Sequence, residues 1–314
     1  MKCLYCGKEL NNGEIDWHSH CLKKFFGTDK MPELDISDKQ LSLLAKKSVN
    51  KGLTVTGVQK KLSLHLSNDD KSRLTIVDYP TGYILKPPTD DYDSLPEFED
   101  VAMRLSEIAG IQTVPHGLIR IDGSYAYITK RIDRDITKNV VKLYAMEDFC
   151  QLSNRLTQDK YRGSYENCGR IIKTFSTRPG LDLSELFLRV CLSFIIGNSD
   201  MHLKNFSLIE QAPANRQYIL SKAYDMLPVN IIMPEDKEQM ALTLNGKKRN
   251  ITKNDFMAFA RNCQLPEQSA KSMLAKLCSL KDAFLLQCDE SYLSGVQKTG
   301  LKDLIEERIA IINK

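Results

Sequence analysis

No stretch of the 314-residue chain approaches the ~18 consecutive apolar residues of a membrane-spanning helix. The N-terminus, MKCLYCGKEL, has no apolar h-region, so no secretory signal is expected, and the protein is expected in the cytoplasm with no membrane partner. A charge excess is missing too. Against 44 basic residues stand 40 acidic ones, and the net charge of +4 argues against a nucleic-acid coat or a polybasic membrane binder. There is no internal repeat, no low-complexity tract and no G-x-G-x-x-G. A disulfide framework is also excluded. Nine cysteines is an odd number, cytosolic thiols stay reduced, and a chain this long buries a core without cross-links. At roughly 150 residues per domain the length suits two domains or lobes.

What is present divides into three parts. Residues 1–30 are rich in Cys and His, and residues 27–37 read as a polar linker. Residues 38–50 have helical spacing at Leu41, Leu44 and Ala45. From residue 53 the pattern becomes strand-like. LSLHLS (62–67) alternates apolar and polar, 67–72 reads as a turn, and RLTIVDY and TGYILKP read as strands. A helix is expected over 97–109, stopped by Gly110, then a hairpin turning at Asp122-Gly123. After Asp148 the periodicity is helical at 147–156, 165–176, 183–197, 253–263, 267–288 and 301–314. One irregular segment, 197–228, holds the short apolar runs FSLI and YILSKAYD. The expected fold class is α+β and bilobal. A Cys/His unit (1–30) precedes a β-rich N-lobe (38–133) and a helical C-lobe (134–314) carrying the irregular segment 197–228.

The sharpest chemical signal is GNSDMHLKNFSLI, 197–209. A buried apolar helix ends at Gly197 and is followed at once by Asp200, His202, Lys204 and Asn205, with Asp225 twenty residues on. Phosphoryl transfer needs a carboxylate to accept the proton of the attacking hydroxyl. It also needs an amide oxygen and a second carboxylate to hold Mg²⁺ against the nucleotide phosphates. Asp200 and Asn205 have the D-x4-N spacing of a kinase catalytic loop, and Asp225 stands where the metal-binding aspartate follows it. Any one of these residues could equally be a turn or cap residue; it is the set after a buried helix that points to chemistry. Lys86 closes an apolar strand and suits contact with nucleotide phosphates. Glu99 on the following helix is its partner candidate and Glu97 the competitor. Gly52 and Gly57 with Gln59, Lys60 and Lys61 give a weaker phosphate-cradling signal.

The N-terminal pattern C-x2-C-x11-H-x2-C supplies Cys3, Cys6, His18 and Cys21. Three thiolates and an imidazole form a closed tetrahedral set for structural Zn²⁺, and His20 is less easily placed. The other six cysteines read as small core residues, and His65 and His116 as core or surface residues.

TGVQKKLSL, YILKPP, EFEDVAMRLSEIAGI, ITKRIDR, GNSDMHLKNFS and AYDMLP, in this order across residues 50–230, resemble the HipA-like serine/threonine kinases of bacterial toxin–antitoxin modules. The resemblance implies a protein-kinase-like fold, ATP and Mg²⁺ as cofactors, and roles for particular residues. Asp200 would be the catalytic base, with His202 an active-site histidine. Asn205 and Asp225 would bind Mg²⁺, and Lys86 the nucleotide phosphates. Val58, Gln59 and Lys60 would lie in the phosphate-covering loop, and Lys130 and Ile132 in the hinge that meets the adenine. Only the Cys/His unit and a short helix precede the kinase loop, which resembles the shorter HipT-like branch. That branch implies a separate small protein, HipS, and a HipB-like helix-turn-helix antitoxin through which alone DNA is met. It also implies autophosphorylation just before GVQ, where Thr54 and Thr56 stand in place of serines. The implied activity is that of a toxin kinase acting on a translation-related protein such as an aminoacyl-tRNA synthetase. The rivals are a pseudokinase serving as a binding subunit of a repressor complex, and a zinc-dependent nucleic-acid adaptor. The intact Lys86, Asp200, Asn205 and Asp225 set speaks against the first, the near-neutral charge against the second.

Overall fold

A computed structural model describes residues 1–35, 61–67, 73–75, 81–137 and 140–314. The expected helix at 38–50, most of the expected turn at 67–72, and Thr54, Thr56, Val58, Gln59 and Lys60 lie outside them. The chain forms two compact units: residues 1–100 with 114–143, and residues 101–113 with 144–314.

The first unit begins with a knuckle. Cys3 accepts from the amide of Gly7 at 2.9 Å and donates to Lys8 O at 2.8 Å, and helix α1 (Ser19–Phe25) follows. A six-stranded sheet has the order β1-β3-β2-β4-β6-β5, from β1 (Glu33–Asp35), β2 (Leu62–Leu66), β3 (Arg73–Thr75), β4 (Tyr83–Lys86), β5 (His116–Ile121) and β6 (Ser124–Lys130). The expected hairpin closes at Asp122 and Gly123, with φ 48° and 84°. Two successive positive φ values are what a type I′ turn requires, and Asp-Gly meets that need at little cost. Two elements depart from expectation. The polar stretch 27–37 contains β1, which pairs in parallel with β3, because a three-residue edge strand needs no alternation of its own. Residues 134–143 make a two-stranded ribbon, β7 (Arg134–Thr137) with β8 (Val140–Leu143).

Helix α2 (Leu95–Ala109) starts two residues before the predicted 97–109 and runs from the first unit into the second. Pro96 is tolerated there because first-turn amides have no intrahelical acceptor.

The second unit is mostly helical, as expected. It contains α3 (Phe149–Leu152), α4 (Tyr165–Phe175), α5 (Pro179–Ile195), α6 (Val229–Ile232), α7 (Lys253–Asn262), α8 (Glu267–Ser279), α9 (Lys281–Glu290) and α10 (Gly295–Asn313). A small sheet orders β11 (Tyr218–Leu220), β10 (Ser207–Glu210) and β9 (Met146–Asp148). Four helix expectations change. Helix α5 starts at Pro179, four residues before the expected 183, because a proline fits the first helical turn, and it ends at Ile195. The predicted helix at 147–156 is one turn, started by an Asp148–Gln151 capping box and ended where Asn154 turns left-handed at φ 54°. The predicted run at 267–288 breaks at Leu280, whose ψ of 2° ends α8 and starts α9. The last helix begins at Gly295, not 301, because Ser294 and Gln297 form a capping box. Helix α5 is the spine: Leu186, Phe187, Val190, Cys191, Leu192, Phe194 and Ile195 are all fully buried. Of the six scattered cysteines five are buried and Cys278 is half-buried. Burial pushes the Cys263 and Cys288 thiols up to about 12, which suits packing rather than reactivity. None of the described helices is long and apolar enough to cross a membrane.

Candidate active site

In the second unit the site is built where α5 stops. Gly197 has φ 71°, and a Cβ there would lie 2.5 Å from Leu304 Cδ2 and 3.2 Å from Asn230 Cβ, so both conformation and space call for glycine. The chain then turns sharply. Asn198 accepts from the Asp200 amide at 3.3 Å through its side-chain oxygen. His202 N donates to Asp200 O at 2.8 Å. Asn205 Nδ2 donates to the same carbonyl at 3.1 Å, which joins the two ends of the D-x4-N segment. Asp200 is 5% exposed and Asn205 2%. A carboxylate that deep is costly unless it accepts hydrogen bonds, and the phenol of Tyr161 donates to its Oδ1. The same ring meets His202 edge-on, with centroids 5.0 Å apart.

Asp225 is half-buried and adopts φ 59°. Its neighbours on both sides are tied to the catalytic segment. Tyr224 Oη donates to Lys204 O at 3.2 Å and lies 2.5 Å from Ser207 Oγ. The Asn198 side chain donates to Met226 Sδ at 3.8 Å. A left-handed aspartate held by its flanks is the kind of backbone strain that collects at functional sites. Lys204 donates to Asp148 Oδ2 at 2.6 Å, pinning the segment to the cap of α3.

In the first unit Lys86 ends β4 and is buried, not solvated. Its Nζ lies 2.5 Å from Glu99 Oε1 and 5.4 Å from the centroid of the Tyr127 ring. Of the two glutamates weighed, Glu99 makes this pair. Side-chain exposures of 5% and 1% mean that removing either partner would strand a buried charge. Lys130 ends β6 with its amide on Pro115 O at 3.0 Å, and Ile132 follows, both half-buried. Next to them Arg131 and Arg134 each grip Asp133 with two hydrogen bonds. Burial would raise this carboxyl, but the two guanidinium groups overcome it and bring it down to about 2.

The knuckle gathers Cys3, Cys6, His18 and Cys21, with all four donor atoms within 4.8 Å of one another. His18 Nδ1 lies 3.4 Å from Cys6 Sγ and 3.7 Å from Cys21 Sγ. Ligands about 2.0–2.3 Å from a tetrahedral zinc stand roughly 3.4–3.8 Å apart, so the donors suit that ion. The other His18 nitrogen, Nε2, is 2.8 Å from Glu9 O. A hydrogen on Nε2 leaves the Nδ1 lone pair facing the thiols. His20 is not one of the four, but it stacks on His18 and its Nε2 lies 3.4 Å from Cys21 Sγ.

The family model of the HipA-like C-terminal domain matches residues 53–284. The chain belongs to this family. Among curated relatives of this HipA-like chain, "Putative kinase Y4dM" of Sinorhizobium fredii is 30% identical over 232 residues, 68% of this chain and 54% of that protein. A "Putative kinase" of Haemophilus influenzae is 26% identical over 307 residues, 90% of this chain and 88% of that protein. The chain thus spans about half the length of the first. Among solved structures, HipA of Shewanella oneidensis MR-1, in a complex with HipB and operator DNA, superposes with a TM-score of 0.72. It shares 17% identity over 88% of this chain and 70% of its own. The Helicobacter pylori proinflammatory kinase CtkA superposes with a TM-score of 0.54 and 17% identity, over 78% of this chain and 90% of its own. At these identities the likeness is one of fold.

Tyr161, Tyr224 and the Lys204–Asp148 pair are the site features that sequence reading missed. Tyr161 lies 39 residues before Asp200 with no motif around it, so no spacing rule could have found it. Lys204 was visible inside the motif, but its partner was not.

Proposed function

We propose that this HipA-like chain is an ATP- and Mg²⁺-dependent serine/threonine protein kinase, with a Cys/His unit over 1–30, an N-lobe over 38–133 and a C-lobe over 134–314. Asp200 takes the proton from the attacking hydroxyl, with His202 beside it. Asn205 and Asp225 hold Mg²⁺. Lys86, oriented by Glu99, neutralises nucleotide phosphates under the loop containing Val58, Gln59 and Lys60, and Lys130 and Ile132 meet the adenine. Held by Asn205 and Asp225, Mg²⁺ would supply charge that offsets what develops during transfer. Zn²⁺ completes the Cys3, Cys6, His18 and Cys21 set.

One observation carries this reading: immediately after a buried helix the side chains of Asp200 and Asn205 are both buried, and the Asn205 amide donates to the Asp200 backbone carbonyl, which fixes the two side chains in one segment. Buried caps do occur in this chain, as at Asp255, but here the pair is accompanied by Asp225, whose neighbours Tyr224 and Met226 are tied to the same segment. The HipA fold and the HipB named with the Shewanella protein support a toxin with a HipB-like antitoxin; the HipT-like branch, a HipS-like companion and a cytoplasmic location rest on the sequence alone. Its substrate would be a translation-related protein such as an aminoacyl-tRNA synthetase, and it would also modify itself at Thr54 and Thr56. The test is incubation of the chain with labelled ATP and cell lysate. A labelled band is expected with the parent and none with Asp200→Asn. Label transfer by Asp200→Asn at the parent's rate would refute the assignment of the base, and transfer by neither protein would favour a binding subunit.

A further inference from the structure

The Cys/His knuckle is packed onto the sheet that carries Lys86, and it meets that sheet at its exposed edge. In the order β1-β3-β2-β4-β6-β5 the strand β5 is terminal. An edge strand has backbone groups without sheet partners, and folded proteins cover them. Here the knuckle supplies the partners. Leu118 N donates to Leu4 O at 3.2 Å, and Trp17 Nε1 donates to Leu118 O at 2.8 Å. Leu4 lies between the ligands Cys3 and Cys6, and Trp17 immediately precedes the ligand His18. The residue before Leu118 is a glycine whose added Cβ would come within 3.0 Å of the Trp17 ring and 3.1 Å of Leu4 O. The strand is therefore shaped to receive the knuckle. A second contact reaches β4. Tyr83 donates to Phe25 O at 3.2 Å, and its ring packs on Phe25 and Phe26. Tyr83 and Lys86 begin and end the same four-residue strand. Arg120 on β5 reaches Asp16 at 2.9 Å.

The knuckle has little of its own to hold this shape. Its regular structure is one seven-residue helix, and its apolar side chains Trp17, Phe25 and Phe26 face the sheet. Besides short-range hydrogen bonds such as those of Leu4 N to Asp16 O and of His18 Nε2 with Glu9 O, four donor atoms within 4.8 Å of one another gather its chain. We propose that Cys3, Cys6, His18 and Cys21 hold one Zn²⁺ as a structural strut of this sheet. The ion fixes Leu4 and Trp17 against the β5 edge and Phe25 under Tyr83, and so sets the order of the strand that ends in Lys86. The site is closed by four protein ligands, which leaves no position for catalysis. That the ordered lysine serves nucleotide binding rests on the kinase reading; the strut itself does not.

The experiment uses the full chain as purified. Metal analysis is expected to find one zinc per chain. Amide hydrogen exchange is then followed before and after zinc removal with EDTA, which is expected to raise exchange on the order of tenfold or more in 116–121 and 83–86, with the helices of the second unit unchanged. ATP-analogue affinity should fall in parallel. Because loss of a ligand could unfold the knuckle outright, Trp17→Phe serves as a second variant. It keeps all four ligands and removes the Leu118 hydrogen bond together with part of the ring packing against β5, so it should retain zinc yet exchange faster along β5. Absence of stoichiometric zinc overturns the site. Unchanged exchange in 116–121 after zinc removal, or parent-like exchange along β5 in Trp17→Phe, overturns the strut. A zinc-loaded chain that shows these exchange changes but binds no ATP analogue would overturn the kinase reading and leave the strut standing.

Discussion

The knuckle of residues 1–30 and the catalytic segment of 197–228 are of similar length, poor in regular structure and rich in polar side chains, yet they are organised in different ways. In the knuckle, four side chains that could hold a metal ion converge, and the rings of Trp17, Phe25 and Phe26 are buried. Those ligands are close in sequence, because a small unit without its own core must be tied locally. The catalytic segment has a core in abundance. Met201, Leu203 and Phe206 are fully buried, and its polar groups are fixed by Tyr161 and Asp148 from elsewhere in the second unit and by Tyr224 farther along the segment. A scarce core therefore leaves a signature in spacing, whereas a plentiful core lets function be positioned from a distance.

Substitutions sharpen this contrast. The largest effect is expected at the catalytic segment: Asn205→Ala or Asp225→Ala should each lower phosphotransfer by on the order of a thousandfold or more without altering the melting temperature by more than a few degrees. Metal ligands and base act as one unit, so loss of one member removes most of the rate. Single-turnover kinetics with circular dichroism would check it, and a variant retaining a tenth of parental activity would break the assignment.

The knuckle should respond in the opposite sense, through stability. Trp17 is 1% exposed and holds Leu118. Trp17→Ala should destabilise the first unit by about 3–5 kcal/mol, as large-to-small core changes do. Urea denaturation followed by tyrosine fluorescence and exchange would report it; a cost below about 1 kcal/mol would show that the knuckle is appended rather than packed.

The smallest effect separates positioning from chemistry. Tyr161→Phe removes the phenol that donates to Asp200. A hydrogen bond to a carboxylate favours its charged form, so its loss should move the acid limb of the kcat profile to higher pH. At neutral pH kcat should fall roughly tenfold with the KM for ATP unchanged. A rise in kcat would mean that Tyr161 occupies the base instead of orienting it.

Some of this architecture was legible without coordinates. The Asp122-Gly123 turn, the alternation of LSLHLS and the periodicity of α4, α5 and α7 are short-range features, and each forms where the residues required it. The ribbon β7–β8 and strand β9 were not legible, because strands of three or four residues carry too few alternations to stand out from loop sequence. At the site, Asp200, Asn205 and Asp225 stood out as a set, while the phenol that meets Asp200 did not.

The sequence by itself determined the local chemistry: a donor set spaced for one ion, a carboxylate and carboxamide at D-x4-N spacing after an apolar helix, and a glycine at 197 that lets the chain turn at the end of that helix. These are properties of residues a few positions apart, and spacing along the chain controls them directly. Only the tertiary structure decided which distant groups meet. It chose between Glu99 and Glu97 for Lys86, brought the Tyr161 hydroxyl to Asp200, and seated Trp17 on the edge of β5. Contacts of that kind depend on the summed packing of whole elements, in which no single residue's identity is decisive, and so no motif records them.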